Sequence, residues 1–372
     1  MDSDTSRTTS HETASTTPEA VGTDTDAIAL KQPAIAVEGL TKVYETQTER
    51  KLFAKKIDDE GFRAVDNVSF TVKPGEIFVI MGLSGSGKST IIRMLNRLID
   101  ITDGSVVVNN QDVRAMDEQA LRGYRNSTIN MVFQHFGLFP HKMLVENVAF
   151  GLKVRGMSQA ERYERAADAL RTVGLGDRLY DLPDQLSGGQ RQRVGLARAL
   201  ATDAEILLMD EPFSALDPLI RKEMQDLLLQ LQQDLRKTIV FVTHDLNEAM
   251  RLGDQILVMK EGKAAQIGRP FDLLDRPADD YIQAFTAEVD RSRVVTARML
   301  AERPLATERT LTGPVAPGRA RVEPSTTLQE MMAIFAEGAE LIEVVRSSDG
   351  RNFGSITPTA AMTALAPRKA AA

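Results

Sequence analysis

Cysteine is missing from all 372 residues, which excludes disulfides and thiolate metal sites and fits a reducing compartment. No apolar run approaches the roughly 20 residues that a membrane-spanning helix needs. An excess of basic charge is missing too: 45 Lys and Arg stand against 52 Asp and Glu, a net charge of −7, which speaks against nucleic acid as a partner. The opening residues Met1 to Thr5 are polar and acidic, so no secretory leader is expected. Sustained heptads, the mark of long coiled-coil insertions, do not occur. The expectation is a protein kept in the cytoplasm, acting at a membrane only through a partner. Its length suffices for about two domains.

Glycine, by contrast, is concentrated. The run Gly82-Leu-Ser-Gly-Ser-Gly-Lys-Ser-Thr90 follows an apolar stretch, Ile77 to Ile80, and precedes an apolar-periodic one, Ile91 to Leu98. That order reads as strand, glycine loop, helix. The spacing from Gly82 to Gly87, Lys88 and Ser89 fits the phosphate-loop pattern. Its glycines let successive N–H groups point into one concavity, and the helix start adds its positive dipole. Leu83, Ser84, Gly85, Ser86 and Thr90 belong to the same cradle. Lys88 is placed to reach the β- and γ-phosphates, and the Ser89 hydroxyl to ligate Mg2+. A plain glycine turn before a helix has no need of Lys-Ser after its last glycine.

Along the chain, residues 1–33 are Ser-, Thr- and Asp-rich and read as a disordered tail. Alternation marks strands near Ala34 to Tyr44 and Val65 to Val72, separated by a charged insert, Glu45 to Gly61, expected as a surface helix. Further strands are expected at Ser105 to Asn109 and Asn130 to Gln134. Ser158 and Glu161 form a capping box that opens a helix stopped by Gly174, inside a helical subdomain of about 144–190. The unbroken apolar runs Ile206 to Met209 and Thr238 to Thr243 read as strands buried on both faces, as in a parallel sheet. Residues 34–285 form this α/β body. Pro304, Pro314, Pro317 and Gly318 mark a linker over 286–320. A small α+β unit over 321–365 and a frayed Ala-rich end, 366–372, close the chain.

Ligands of parallel sheets collect at the carboxyl ends of strands. Gly82, Gln134, Asp210 and His244 each sit at or just past such an end. Asp210 suits Mg2+, and Glu211 beside it suits a general base acting on water in line with the γ-phosphate. His244 is a candidate to hydrogen-bond that phosphate or the water, and Gln134 a candidate contact to Mg2+ and the water. Leu186-Ser-Gly-Gly-Gln190 supplies a second possible anion site at a helix start, from Ser187, Gly188 and Gly189. It is also an ordinary helix cap. One γ-phosphate has no use for two cradles of one chain unless the second serves another subunit.

Residues of about 34 to 285 resemble the nucleotide-binding subunit of an ABC transporter, a P-loop NTPase with an inserted helical subdomain and an antiparallel β part. The phosphate loop is Gly82 to Ser89, the Q-loop residue Gln134, and the signature Leu186 to Gln190. The Walker B strand ends at Asp210-Glu211, the D-loop is Ser214-Ala-Leu-Asp217 and the switch histidine is His244. The resemblance implies ATP and Mg2+ as ligands and a head-to-tail homodimer. Each ATP then lies on Lys88 of one chain and under Ser187 and Gly189 of the other, with Gln190 and Asp217 at the shared site. It also implies an aromatic stacked on adenine near the first strand. Tyr44 is the positional candidate and Phe62 its rival.

The stretches Gly75 to Thr90, Met94 to Leu98, Ser214 to Arg221 and His244 to Arg251 resemble, more narrowly, the ATPases of glycine betaine/proline uptake systems, as does the insert after Tyr44. That implies a permease and, through it, an extracytoplasmic solute-binding protein as partners. The protein would sit peripherally on the cytoplasmic face of the membrane. Phe136, Leu138, Phe139 and Pro140 are the expected permease contact. Members of that subfamily carry paired CBS modules; the pattern here fits one such unit, over 321–365.

Overall fold

A computed structural model describes residues 32–44, 61–132, 137–301, 317–347, 350 and 352–366. The expected tail, except for Gln32 and Pro33, and the charged insert, except for Gly61, lie outside these residues, as do Gln134 and Phe136.

The described chain opens with strands β1 (Ile35–Tyr44), β2 (Phe62–Val72) and β3 (Ile77–Gly82), then helix α1 (Lys88–Leu95). Strands β4 (Asp103–Val108) and β5 (Gln111–Asp112) follow, joined by Asn109 and Asn110. Both asparagines lie in the left-handed region, φ 46° and 63°, which a two-residue hairpin demands and asparagine tolerates. Helix α2 (Glu118–Ser127) leads into β6 (Ile129–Val132). Helices α3 (Leu144–Val154) and α4 (Gln159–Thr172) form the helical layer, to which α5 (Gly188–Ala201) belongs as well. The Ser158 hydroxyl accepts from the Glu161 N–H at 3.3 Å, and Gly174, at φ +76°, ends the α4 segment, as its spacing predicts. Then come β7 (Ile206–Asp210), α6 (Pro218–Leu235), β8 (Thr238–Thr243), α7 (Leu246–Leu252), β9 (Gln255–Lys260) and β10 (Lys263–Gly268).

Strands β9, β3, β8, β7 and β6 lie side by side in parallel, with β10 antiparallel on the β9 edge. A second, antiparallel sheet has the order β2-β1-β4-β5. In β3, β7 and β8 every residue is buried, because alternate side chains enter two different cores. Ile77, Val79, Met81, Met209 and Phe241 point to one, shared with α5, α6 and α7. Phe78, Ile80, Leu208 and Val242 point to the other, shared with α1 and the antiparallel sheet. Each such side chain contributes about 2 kcal/mol of burial. The parallel sheet is thereby fixed from both sides, and its carboxyl edge becomes a rigid platform.

Beyond it lie α8 (Pro270–Asp275), α9 (Asp280–Thr286), α10 (Arg291–Val294) and α11 (Ala297–Ala301). The last two fall inside the expected linker. Their few apolar residues are too short a run to show periodicity, yet Ala297, Leu300 and Ala301 of α11 are buried, as is Val295 between the two helices. Strand β11 (Arg319–Val322), α12 (Leu328–Ala336), β12 (Leu341–Val345), β13 (Asn352–Ile356) and α13 (Pro358–Leu365) complete a three-stranded unit of order β11-β12-β13. The unit is bound back to the preceding helices: Leu328 N–H donates to Val295 O at 2.7 Å and Ala297 N–H to Thr326 O at 2.8 Å.

Candidate nucleotide site

The phosphate loop spans the gap between β3 and α1. Gly82, Gly85 and Gly87 have φ of 147°, 80° and 99°, values that side-chain-bearing residues rarely take. At Gly87 a Cβ would stand 2.4 Å from the Ala64 carbonyl oxygen, and at Gly82 one would stand 2.3 Å from the Met259 oxygen. Strands β2 and β9 thus wall the loop, and only glycine fits between them. Leu83, Ser84 and Gly85 form its exposed rim, while Ser86 is buried. The Thr90 N–H donates to Gly87 O at 3.1 Å and starts the helix.

Lys88 is buried beneath the loop, where its Nζ donates to Gly82 O at 2.9 Å and Leu83 O at 3.0 Å. Burial pushes the ammonium below its ordinary pKa, and the charges of Glu211 and Asp210 partly offset that. The lysine therefore senses both strand-end acids. The Ser89 hydroxyl donates to Asp210 Oδ1 at 2.8 Å, and Arg93 Nη2 lies 3.5 Å from Asp210 Oδ2. Glu211 occupies the left-handed region at φ 46°, a conformation that costs a non-glycine residue on the order of 1–2 kcal/mol. It is held there by its own N–H to Val242 O at 3.0 Å and by the Ser214 hydroxyl donating to its carbonyl at 3.0 Å. Its carboxylate Oε2 is 3.1 Å from His244 Nδ1. An ionised carboxylate only accepts, so in this contact the Nδ1–H of His244 is the donor.

Lys88, Ser89, Asp210, Glu211 and His244 thus form one cluster at the carboxyl edge of the sheet. The turn 187–190 is not in it. Ser187 caps α5: its hydroxyl accepts from Gln190 N–H at 3.3 Å, and Gln190 Oε1 accepts from Ser187 N–H at 3.0 Å. Among the described residues no hydrogen bond joins this turn to Lys88, Ser89 or Asp210. The two glycines also differ. A Cβ on Gly189 would come within 2.3 Å of Ile220 Cγ2, whereas on Gly188 the nearest neighbour is Leu216 Cδ2 at 3.7 Å. Gly189 is therefore needed first for the close approach of α6. Asp217 caps that helix, its Oδ1 accepting from Leu219 and Ile220 N–H at 3.1 Å each.

Tyr44 and Phe62 face each other across the β1–β2 ladder, both exposed, and Lys42 Nζ lies 5.1 Å from the Tyr44 ring centre. Phe62 is two residues from Ala64, whose carbonyl walls the loop at Gly87. Two contacts were not foreseen from the sequence. Arg93, one helical turn after Ser89, reaches Asp210, and spacing along α1 would have revealed it. Arg221 Nη1, 3.2 Å from Asp245 Oδ2, gave no local signal because 24 residues separate the pair.

The donor set fits a triphosphate with Mg2+. Ser86 Oγ is buried in the loop without a hydrogen-bond partner, and the cradle has the narrowness that only glycine permits. Among the described residues no group of three or more His, Asp or Glu could hold a metal by itself. The neighbouring Ser89 hydroxyl and Asp210 carboxylate suit Mg2+, which keeps few protein ligands and takes the rest from phosphate and water.

A phosphate loop on a parallel sheet, an acid pair closing a buried strand two places along that sheet and a helical layer headed by a second glycine turn define a P-loop nucleotide-binding cassette. Residues 65–214 match the family described as ABC transporter. The trimethylamine N-oxide transport system ATP-binding protein TmoW of Ruegeria pomeroyi is 44% identical over 302 residues, covering 81% of this chain and 85% of that one. The glycine betaine transport ATP-binding protein OpuAA of Bacillus subtilis is 49% identical over 278 residues, 72% of this chain and 66% of its own length. Among solved structures, a dimeric post-hydrolysis state of the cassette MJ0796 bound to ADP and phosphate superposes with a TM-score of 0.55 at 36% identity, covering 63% of this chain and 98% of that one. The chain belongs to the ABC transporter family. It matches a little under two thirds of the length of its betaine-transport relative OpuAA. Among the described residues no helix is long and apolar enough to cross a membrane.

Proposed function

We propose that the chain is the ATP-hydrolysing subunit of an importer for a quaternary ammonium solute of the glycine betaine, proline betaine or proline type. The observation that carries the ATPase reading is the Glu211–His244 pair, set beside Lys88, Ser89 and Asp210. Here Lys88 and the N–H groups of residues 82–90 bind the β- and γ-phosphates. Glu211 takes the proton of the attacking water as its oxygen bonds to the γ-phosphorus and the bond to ADP breaks. His244, its Nδ1–H donated to Glu211, orients that carboxylate and hydrogen-bonds the γ-phosphate or the attacking water through Nε2. Ser89 and Asp210, with Gln134, hold Mg2+, which when bound neutralises charge on the phosphates.

Ser187, Gly188, Gly189 and Gln190 serve the nucleotide of a second copy, across a head-to-tail homodimer in which Asp217 also lies at the interface. This reading is supported by the separation of the two glycine turns within one chain. Tyr44 or Phe62 stacks on adenine. The permease docks on the helical layer near Phe139, whose ring lies 4.7 Å from that of the exposed Phe150, with Met143 and Val154 exposed nearby. The subunit is peripheral, on the cytoplasmic face, and reaches the solute-binding protein only through the permease. Residues 34–285 are the cassette and 321–365 a single CBS-like unit.

The betaine assignment is supported by the relatives' names. Import of another small solute is favoured by the trimethylamine N-oxide relative, which is matched over most of its length. Uptake of labelled glycine betaine by cells with and without this gene, in competition with unlabelled trimethylamine N-oxide, separates the two. Betaine uptake that needs the gene and resists the competitor supports the first reading. Uptake indifferent to the gene contradicts it.

A further inference from the structure

We propose that Arg221 is a positioning residue that fixes the His244 loop against the Ser214–Asp217 loop and so sets the Glu211–His244 pair for turnover, an inference that rests on the ATPase reading. The arginine stands in the first turn of α6 and divides its fork between two loops. Nη2 donates to Leu216 O at 3.1 Å, and Nη1 donates to Asp245 Oδ2 at 3.2 Å. Each end leads back to the acid–histidine pair. On one side, Ser214 of the same loop donates its hydroxyl to the Glu211 carbonyl at 3.0 Å. On the other, the Asp245 N–H donates to Thr243 Oγ1 at 3.0 Å, and these two residues bracket His244. Asp245 Oδ1 is already engaged, capping α7 by accepting from Asn247 and Glu248 N–H at 2.9 and 3.2 Å. The arginine thus takes the second oxygen of a carboxylate whose first oxygen fixes the helix behind the histidine.

Stability alone explains this placement poorly. Arg221 Nε is buried with no hydrogen-bond partner, an arrangement that costs about 1–3 kcal/mol. It borders a cavity of about 10 Å³, room for about one water, which Glu211, His244 and Glu248 also line. Next to it Ile220 is pressed onto Gly189, so the same turn of α6 abuts the 187–190 turn on its other side. A lysine would have to reach both loops from one nitrogen, whereas the planar guanidinium sends Nη1 to one and Nη2 to the other.

The test uses the full-length chain and its Arg221→Ala, Arg221→Lys, Asp245→Asn and Arg221→Ala/Asp245→Asn variants. Asn at 245 keeps the α7 cap and removes the charge. Four readouts are taken: kcat and KM for ATP, binding of a fluorescent ATP analogue, thermal midpoint, and amide hydrogen exchange over residues 214–217 and 243–245. Arg221→Ala is expected to lower kcat about 10- to 100-fold, as a misplaced catalytic group does. Nucleotide affinity should change by less than about threefold, the mark of an interaction that acts on the transition state. Lysine should recover part of kcat, and the double variant should lose little more than Arg221→Ala alone. Exchange should rise in both loops while β8 stays protected. A kcat within twofold of the parent with unchanged exchange overturns the proposal, and so does a loss in which kcat, affinity and thermal midpoint all fall together. A parent chain that never hydrolyses ATP, yet shows the exchange response on substitution, would refute the ATPase reading and leave the link between the loops standing.

Discussion

Replacing Gly189 by alanine tests whether this glycine serves packing. Its φ lies outside the left-handed region, so the backbone accepts an alanine, and in a helix alanine is intrinsically preferred. The obstacle is Ile220. The new Cβ would sit 2.3 Å from Ile220 Cγ2, while carbon atoms pack at about 3.5–4.0 Å, so a gap of about 1.2 Å must open between α5 and α6. Overpacking of that kind costs about 1–3 kcal/mol. Truncating Ile220 to alanine removes the offending methyl, leaving Ile220 Cβ at 3.7 Å, an ordinary contact. The half-buried Ile220→Ala change alone costs about 1–2 kcal/mol. The double variant should therefore be about 1–3 kcal/mol more stable than the sum of the single costs. Urea unfolding followed by far-ultraviolet circular dichroism measures all four proteins. Costs that add to within about 0.5 kcal/mol would refute the packing role. Gly188→Ala, whose Cβ meets only Leu216 Cδ2 at 3.7 Å, should leave stability unchanged and serves as the control.

Lys88→Ala should abolish measurable nucleotide binding, checked by fluorescent ATP titration, since it removes the ammonium held beneath the loop at Gly82 O and Leu83 O. Tyr44→Ala and Phe62→Ala should separate the two candidate adenine platforms: the variant that raises KM for ATP about tenfold, from lost stacking of about 1–1.5 kcal/mol, identifies the ring. Glu343 is buried between Arg319 and Arg321, at 3.0 Å from each. Burial raises its pKa, but the hydrogen bonds and charges of the two arginines outweigh that and hold it below the ordinary 4.5. A depressed carboxyl contributes stability above its unfolded pKa and loses it as pH falls through the folded one. Glu343→Gln should cost about 2 kcal/mol at pH 7, at the low end because both guanidiniums are a third exposed. The gap in thermal midpoint from the parent should narrow below pH 4.5.

The sequence was most legible where one rule acts locally. The fully buried strands over Ile206–Asp210 and Thr238–Thr243 showed as unbroken apolar runs, because both faces of a parallel sheet are covered. The phosphate loop showed because its glycines recur at a fixed spacing ahead of Lys88 and Ser89. The Ser158 cap and the Gly174 stop are local chemistry of the same kind. The helices over 291–301 were missed because their burial is earned against β12 and α12, far along the chain. The Arg221–Asp245 bridge was missed for the same reason. Gly189 was read for its N–H group, while the structure shows a neighbour, Ile220, that no local pattern could reveal.

The central claim is that one ATP is gripped by Lys88 of one copy and Ser187 of another. Sedimentation of the Glu211→Gln variant with saturating ATP and Mg2+ tests it most directly, because that change leaves the cradle intact and removes the proposed base. The expected species has twice the 40.9 kDa of the single chain and retains one nucleotide per copy. It should revert to single chains when Ser187→Arg is added. A particle that stays at 40.9 kDa while nucleotide is fully bound would contradict the account.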